Sequence, residues 1–536
     1  MATADVFTAP GKFTAREELL APVRALMATT AGMRREGKRW LPVERGEIDW
    51  GPENEYAERL ERSTLTPFYQ RAVDDLTGRV FRCPPKLKDD VPPEIAGVDG
   101  ATEGSYAEGL AENIDRRGND LRTFMRHTFR AAMAEGMCGV LVDYPKVGDA
   151  ATHADELAGE LRPFWSRYTA GCILDAEPDY SSGAPKLKRL RLLEPRCECG
   201  PETGWVEKTT PYVRVVYRGA GTGASATPAR WELWTKNEKG EAVPAMAEDG
   251  APLGGEFRGR NGAPIVEIPF VLVPAGIEVG WWEWQPLLLD LAYGNLRHWR
   301  VKSDLDNRAH ITLDTVMTTT LSEAEWMVKE IGPRRVVFLG TKDGREGKLE
   351  NLSNDTGPMA LAVQMLKDIE AECRWMAMQP TLTQQGGNPT ATAASIETAE
   401  AHSQLQDRAL ALQDATEELL RITALYLGLD SGGSVEYELD FLEHGADQAE
   451  VELLKWALAG DGVTPYIDPA YGIERLAEIG AFGEDFDVER ALAAPVPPPK
   501  SAAPPAPPAM PPELVDAAKA AAFGIGDTAA NETASA

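Results

Sequence analysis

Positive charge is what this sequence is shortest of. Its 55 Lys and Arg residues face 84 Asp and Glu, a net charge of −29 over 536 residues. Proteins that grip nucleic acid by neutralising phosphates carry a basic surplus. The composition therefore excludes a DNA-gripping protein and argues against a basic-patch membrane binder. Cysteine is equally scarce: six in the whole chain, too few for a disulfide framework at this length and in keeping with a reducing cytoplasm. Cys197-Glu-Cys199 is the one close pair, with no second pair and no nearby histidine, whereas a zinc site needs about four Cys or His ligands. Long apolar runs are missing too. Trp281 to Leu296 comes nearest and is interrupted by Glu283 and Asp290, so nothing suits a membrane span of about 18 uncharged apolar residues. Met1 to Phe13 has no apolar stretch, and no signal peptide is expected. The remaining composition, 43 % hydrophobic and 26 % charged, is that of folded protein with room for a sizeable core.

Motifs of catalysis are absent as well. Gly-Lys occurs at 11–12, 37–38 and 347–348 and is never followed by Ser or Thr, so no phosphate-cradling Walker loop exists. Gly219-Ala-Gly221-Thr-Gly223 lacks the spacing of a dinucleotide loop and precedes strands rather than a helix. Neither a G-x-S-x-G elbow nor H-E-x-x-H is found, which removes the commonest serine hydrolase and zinc protease signatures. Asp175-Ala-Glu177-Pro-Asp179 begins like a calcium loop, but Tyr180 and Lys186 stand where glycine and glutamate are required. It reads as an exposed acidic loop. His127, His153, His298, His310, His402 and His444 share no helical i,i+4 spacing. His298 and His402, on long helices, read as surface or interface groups. Asp143 ends an apolar strand and reads as a turn-satisfying carboxylate. No catalytic residue, metal or cofactor is assigned. The enzyme alternative is a metal-dependent hydrolase using Asp143, Asp175 and Asp179.

What is present is a sequence of elements. Apolar spacing predicts helices over 14–34, 53–81 and 119–137, the last followed by a strand at 139–144 closed by Pro145. Residues 161–275 are β-rich, with strands at Leu190–Leu193, Tyr212–Tyr217, Trp231–Thr235 and Ile265–Val273. A helix follows at 284–308 with Pro286 in its first turn, where a missing N–H costs little. Short strands at 311–352 surround a helix at 322–331. Met359 to Gln379 and Thr390 to Leu427 contain neither glycine nor proline and are predicted as long helices, the second spanning roughly 55 Å at 1.5 Å per residue. The linker between them, Pro380 to Pro389, carries no charge. A strand at 435–441 and helices at 447–459 and 469–480 complete the fold, and a Pro/Ala-rich tail over 495–536 reads as a disordered spacer.

Four motifs in this order carry a family resemblance: Asn113-Ile-Asp-Arg-Arg-Gly-Asn-Asp-Leu-Arg-Thr-Phe124, Gly136-Met-Cys-Gly-Val-Leu-Val-Asp-Tyr-Pro145, Pro286-Leu-Leu-Leu-Asp-Leu-Ala-Tyr-Gly-Asn-Leu-Arg-His-Trp299 and Thr390-Ala-Thr-Ala-Ala-Ser-Ile-Glu-Thr-Ala-Glu-Ala-His-Ser-Gln-Leu405. The chain resembles, over about residues 40–430, the portal proteins of tailed double-stranded DNA bacteriophages, in a subfamily known as a conserved phage domain. His310 to Thr320 departs from the pattern, being Thr-rich where the family tends to an apolar, proline-containing strand. The resemblance implies an α+β portal fold. It would have a wing at 1–283, a stem helix at 284–310, a clip at 311–357 and a second stem helix at 358–378. A tunnel loop at 379–390, a long wing helix and strand at 391–444 and a crown at 445–494 would follow. It further implies a homo-oligomeric ring, typically a dodecamer, at the portal vertex of the virion, assembled in the host cytoplasm. Double-stranded DNA would pass non-specifically through the channel. The large terminase, a head–tail adaptor, the major capsid protein and scaffold would be partners, with no membrane role. Another head–tail connector component is the alternative within this class.

On that reading the DNA-facing loop residues are Gln379, Thr381, Thr383, Gln384, Gln385, Gly386, Gly387 and Asn388. Neutral polar groups can touch a phosphate backbone without trapping it, and Gly386-Gly387 lets the loop change shape. A polar, glycine-containing loop is equally what any exposed helix–helix connection has. Arg334, Arg335, Lys342, Arg345 and Lys348 gather basic charge for clip docking, although Asp343, Glu346 and Glu350 are interleaved as on a solvated surface. Trp281, Trp282 and Trp284 read as packing or subunit-interface aromatics.

Overall fold

The computed structural model describes residues 5–52, 54–97, 109–145, 162–181, 183–198, 207–221, 225–247, 250–260, 262–313, 316–319, 341–342, 345–346, 349–352, 357–377, 391–439, 454–455, 458 and 469–478. The chain divides into two units, Met1–Leu439 and Asp440–Ala536. Helix and strand are mixed but segregated along the sequence, an α+β arrangement.

The N-terminal region is helical. α1 (Gly11–Met27) buries Leu20, Val23, Ala25 and Leu26. It breaks at Ala28, and α2 (Thr29–Glu36) starts on a left-handed Thr29, φ 58°, so the single helix expected over 14–34 is two. The stretch expected as one helix over 53–81 is also divided, into α3 (Glu55–Arg62) and α4 (Phe68–Val80). Asn54 opens α3 by accepting from Ala57 N at 2.8 Å. Pro67 makes the break: its ring disfavours a helical Thr66, and it lacks the N–H that a continuous helix would use. A single turn, α5 (Pro93–Ala96), and the helix α6 (Leu121–Glu135) follow. Asp120 caps α6 through Thr123 N at 2.8 Å. Gly136 ends it at φ 86°, where any Cβ would lie 2.7 Å from the Gln285 backbone.

The strand Met137–Asp143 leaves that glycine and runs between Phe164–Thr169 and Phe270–Pro274 in an antiparallel three-stranded sheet. Met137 to Val142 are all buried. A second antiparallel sheet pairs, in order, Ala242–Pro244, Arg230–Lys236, Tyr212–Tyr217, Lys186–Leu193 and Ile173–Asp179, with Gly254–Glu256 also on Arg230–Lys236. The expected acidic loop at 175–179 is thus a strand. Its acids are held by cross-strand cations: Asp175 by Arg191 at 3.1 Å and Glu177 by Lys188 at 2.8 Å.

α7 (Leu289–Leu313), α8 (Gly357–Met376) and α9 (Ala391–Leu427) are the long helices of this unit. α7 begins later than Pro286 because Glu283–Gln285 is drawn into a hairpin with Ile277–Gly280. Main-chain pairing there competes with the first helical turn. Between α7 and α8, Val316–Thr319 pairs with Leu349–Leu352 and Thr341–Lys342 with Arg345–Glu346. The helix expected at 322–331 lies outside the described residues. α9 reaches back to the three-stranded sheet: Trp165 Nε1 donates to Thr423 Oγ1 at 2.9 Å, and Tyr426 OH donates to Val142 O at 3.2 Å. Of the strand expected over 435–441, Val435–Glu436 forms, paired with Lys86–Leu87. In the second unit α10 (Pro469–Glu478) buries Leu476.

Candidate functional site

α7 and α8 form an antiparallel pair. Arg297 meets Glu372 at 3.2 Å, His298 meets Glu370 at 3.2 Å, and Gly294 lies beside Cys373 and Met376, so partner numbers fall as α7 numbers rise. A Cβ at Gly294 would come within 2.9 Å of Met376 Cε and 3.3 Å of Cys373 Sγ. Glycine therefore sets how closely the helices approach. Leu291, Ala292, Leu296 and Trp299 from α7, with Ile369, Cys373 and Ala377 from the facing segment, are buried.

Of the surface or interface positions expected for His298, the surface one is corrected: the side chain is fully buried within the chain, facing Glu370 of α8. Phe68 meets the imidazole edge-on at 5.1 Å. Desolvation lowers its pKa against the pull of Glu370, so the ring is neutral near pH 7. The tautomer protonated at Nε2 donates to Glu370. Asn295, also buried, accepts from Tyr69 N at 3.1 Å and donates to Thr66 O at 2.9 Å. It thereby satisfies the start of α4, where the helix ladder supplies no partner. Nothing in the motif search singled out Asn295. The available signal was a polar residue at a core-facing position between Leu291, Ala292 and Trp299.

Further along α7 a second polar anchor forms. Arg59, 2 % exposed, donates from Nε and Nη2 to the two oxygens of Glu47 at 2.6 and 2.8 Å and from Nη2 to Pro42 O at 2.8 Å. Its Nη1 also faces Asp304 of α7 at 3.5 Å and Glu44 at 3.6 Å. Three carboxylates thus surround one guanidinium. Burial, then the hydrogen bond and charge of Glu44, raise the Asp304 pKa to about 6 despite Arg59. The loop at 37–48, α3 and α7 are locked together here. Arg300 Nε adds a bond to Trp40 O at 2.7 Å.

Large apolar side chains stand among the charged ones on the outward side of the pair. Leu361, Met365 and Trp375 are exposed, Trp375 by 72 %, and Tyr293 of α7 by 52 %. Leu361 and Met365 are one turn apart, and fourteen residues separate Leu361 from Trp375, close to four turns at 3.6 residues each. The three side chains share one face with exposed Asp368 and Glu372, which lie between them, and that face is turned from buried Cys373.

Of the docking residues read from the sequence, Lys342 and Arg345 stand opposite each other in their hairpin. Arg334, Arg335 and Lys348 lie outside the described residues. So do all the loop residues: Gln379, Thr381, Thr383, Gln384, Gln385, Gly386, Gly387 and Asn388. The three acids of the hydrolase alternative do not converge on one another. Asp143 pairs with Arg214 at 2.9 Å, Asp175 with Arg191, and Asp179 accepts from Ser181 N at 3.0 Å. Cys197 sits exposed on the strand Arg196–Glu198, 3.3 Å from Thr209 Oγ1. Trp282 stacks on Phe270 at 5.8 Å and tilts against Trp281 at 5.6 Å, a packing role.

A family model described as "Domain of unknown function (DUF4055)" matches residues 286–427. No curated protein matches the chain. Among solved structures, the neck of a native GTA particle computed with C12 symmetry is similar at 11 % identity and TM-score 0.36, over 83 % of this chain and 99 % of that one. The neck of an empty GTA particle computed with C6 symmetry is similar at 11 % identity and TM-score 0.35, over 77 % of this chain and 90 % of that one.

Proposed function

We propose that this chain is a portal-type head–tail connector subunit: copies of it, twelve in the expected ring, surround a channel through which double-stranded DNA is packaged and released. The observation that carries this reading is the exposure of four large apolar side chains on the helix pair, Leu361, Met365 and Trp375 on α8 and Tyr293 on α7. Large apolar side chains lining one side of a helix pair lose water only against another surface. Identical subunits that pack head to tail with a closing rotation form a ring. The order of elements supports the reading: a long helix, a strand-built excursion, an antiparallel helix, an uncharged linker and a 37-residue helix. The family match falls on these same elements. The net charge of −29 fits a conduit that lets DNA slide rather than one that holds it. The role is structural, with no catalytic residue, and the terminase, an adaptor, the capsid protein and scaffold are the expected partners.

Native mass spectrometry and axial particle images of the purified protein test the ring. Closed oligomers are expected, and a chain that stays monomeric at high concentration overturns the reading. For the linker, Gln384→Lys with Gln385→Lys should leave ring assembly intact and impair DNA packaging or ejection, since added cations create salt-dependent traps. Normal DNA-filled particles from that variant would remove the sliding-loop idea.

A further inference from the structure

A cleft of about 460 Å³ opens in the Met1–Leu439 unit, far along the sequence from the helix pair, where the loop before α6, α6 itself, Phe164–Thr169 and the Leu193–Arg196 segment meet. Its charge runs against that of the whole chain. Arg117, Arg167, Arg196 and Arg214 line it, against two carboxylates, Asp115 and Glu194.

Both carboxylates are already engaged. Glu194 accepts from Arg214 Nε at 2.6 Å, Tyr168 OH at 2.7 Å and Arg196 Nη2 at 3.2 Å. Burial alone would raise its pKa, but Arg214 and these hydrogen bonds hold it below the ordinary carboxylate value, so it is ionised. Asp115 accepts from the backbone of Arg117 at 2.9 Å and from the Asn119 side chain at 2.7 Å. Arg214 is in turn shared with Asp143 and lies over the Trp231 ring at 4.6 Å. The floor is therefore a closed, neutralised network.

The rim is different. Arg117 and Arg167 are exposed, and among the described residues neither has a carboxylate within ion-pair distance. His127 lines the same cleft. Partial desolvation, then the charges of Arg167, Arg126 and Arg130, lower its pKa. Phe124 and Trp165, which border the cleft, are buried behind it.

We propose that this cleft is a docking site for a short acidic peptide segment of a partner protein, with side-chain carboxylates held by Arg117 and Arg167. Planar guanidinium groups bind carboxylates bidentately. The volume falls in the range of sites that enclose a few side chains, about 300–1,000 Å³. A nucleic-acid duplex fits less well. Its charge is continuous along a rod and meets the repulsion of the −29 surface beyond the cleft, whereas a short segment needs only the local field. The site lies within one chain and does not depend on ring formation.

The test uses the full chain and a fluorescein-labelled hexaglutamate peptide, read by fluorescence anisotropy at low salt. Arg117→Glu with Arg167→Glu should weaken binding about tenfold or more, because two guanidinium donors give way to two carboxylates that repel the peptide. Arg230→Glu with Arg258→Glu, a charge-matched change at exposed arginines elsewhere, should alter it less than about twofold. Circular dichroism melting confirms that both variants fold. Absent binding to the wild-type chain, or equal weakening in both double variants, overturns the proposal. So does displacement of the peptide by inorganic phosphate or duplex DNA at equal or lower concentration of charge, which would make the cleft a general anion or nucleic-acid site. Oligomeric state, read separately by native mass spectrometry, keeps this result distinct from the fate of the ring proposal.

Discussion

Where α7 meets α3, α4 and α8, an apolar seam of Leu291, Leu296 and Trp299 is accompanied by polar side chains with specific partners: Asn295, His298 and Asp304 of α7 and Arg59 of α3. On the outer side of α8, large apolar side chains, Leu361, Met365 and Trp375, stand exposed beside Asp368 and Glu372. The two regions answer different demands. Polar groups in a packed interior need specific partners at specific distances, so they orient α7 on its support and penalise any other register. The exposed apolar side chains have no such geometry to satisfy inside the chain, and their natural complement is a further surface.

Substitutions can break this contrast at different strengths. The largest effect is expected from Arg59→Leu, which leaves Glu47, nearly buried at 6 % exposure, without its cation beside Glu44 and Asp304. A loss of about 3 kcal/mol in urea unfolding is expected, as for other broken buried pairs, and a change under 1 kcal/mol would mean the anchor is solvated. Asn295→Leu should cost about 2 kcal/mol, because Tyr69 N and Thr66 O both lose their partner. An unchanged denaturation midpoint would show that α4 starts without it.

Asp304→Asn should act in the opposite direction and depend on pH. The folded-state pKa of Asp304 is about 6, above its ordinary 3.8. The folded chain therefore holds more protons than the unfolded one between those values, and stability falls as pH rises through that window. The amide removes this loss, so at pH 7 the variant should be more stable by about 1 kcal/mol, discounted for the group's half exposure, with no gain at pH 4. Buried His298 acts in the reverse sense, losing stability as pH falls below its ordinary value. Comparing variant with wild type at each pH cancels that contribution. A pH-independent difference would refute the shared-proton arrangement.

The smallest effect on the folded chain, under about 0.5 kcal/mol, is expected from Leu361→Asp with Trp375→Asp, yet these changes should abolish oligomers in native mass spectrometry. Intact rings from that variant would uncouple Leu361 and Trp375 from assembly and sharpen the contrast by assigning them another partner.

Local signals were legible where they ran uninterrupted. The 37 residues of α9 contain neither glycine nor proline, and helix is what forms. Tyr212–Tyr217 was readable from its β-branched and aromatic content. Pro67 divided a helical pattern that periodicity alone joined, and Trp284 and Gln285, expected to open the helix at 284–308, entered a hairpin instead. Both outcomes depend on backbone competition that hydrophobic spacing does not register.

The candidate sites were less legible than the fold. The docking cations read as one group are adjacent in sequence, and the structure aligns only Lys342 with Arg345 among the described residues. The arginines of the cleft come from positions 117, 167, 196 and 214, with no motif linking them. Their shared field exists because the loop before α6 and two separate sheets meet there.

By itself, then, the sequence determined the acidic charge, the long helices and the segregation of strand from helix, because these follow from composition and from interactions within a few residues. Tertiary structure alone decided that His298 is buried and neutral, that Arg59 collects three carboxylates and that Trp375 faces outward. It also decided that a basic cleft exists in an acidic protein. Each of these depends on desolvation or on charges brought together from distant positions, which no stretch of sequence contains.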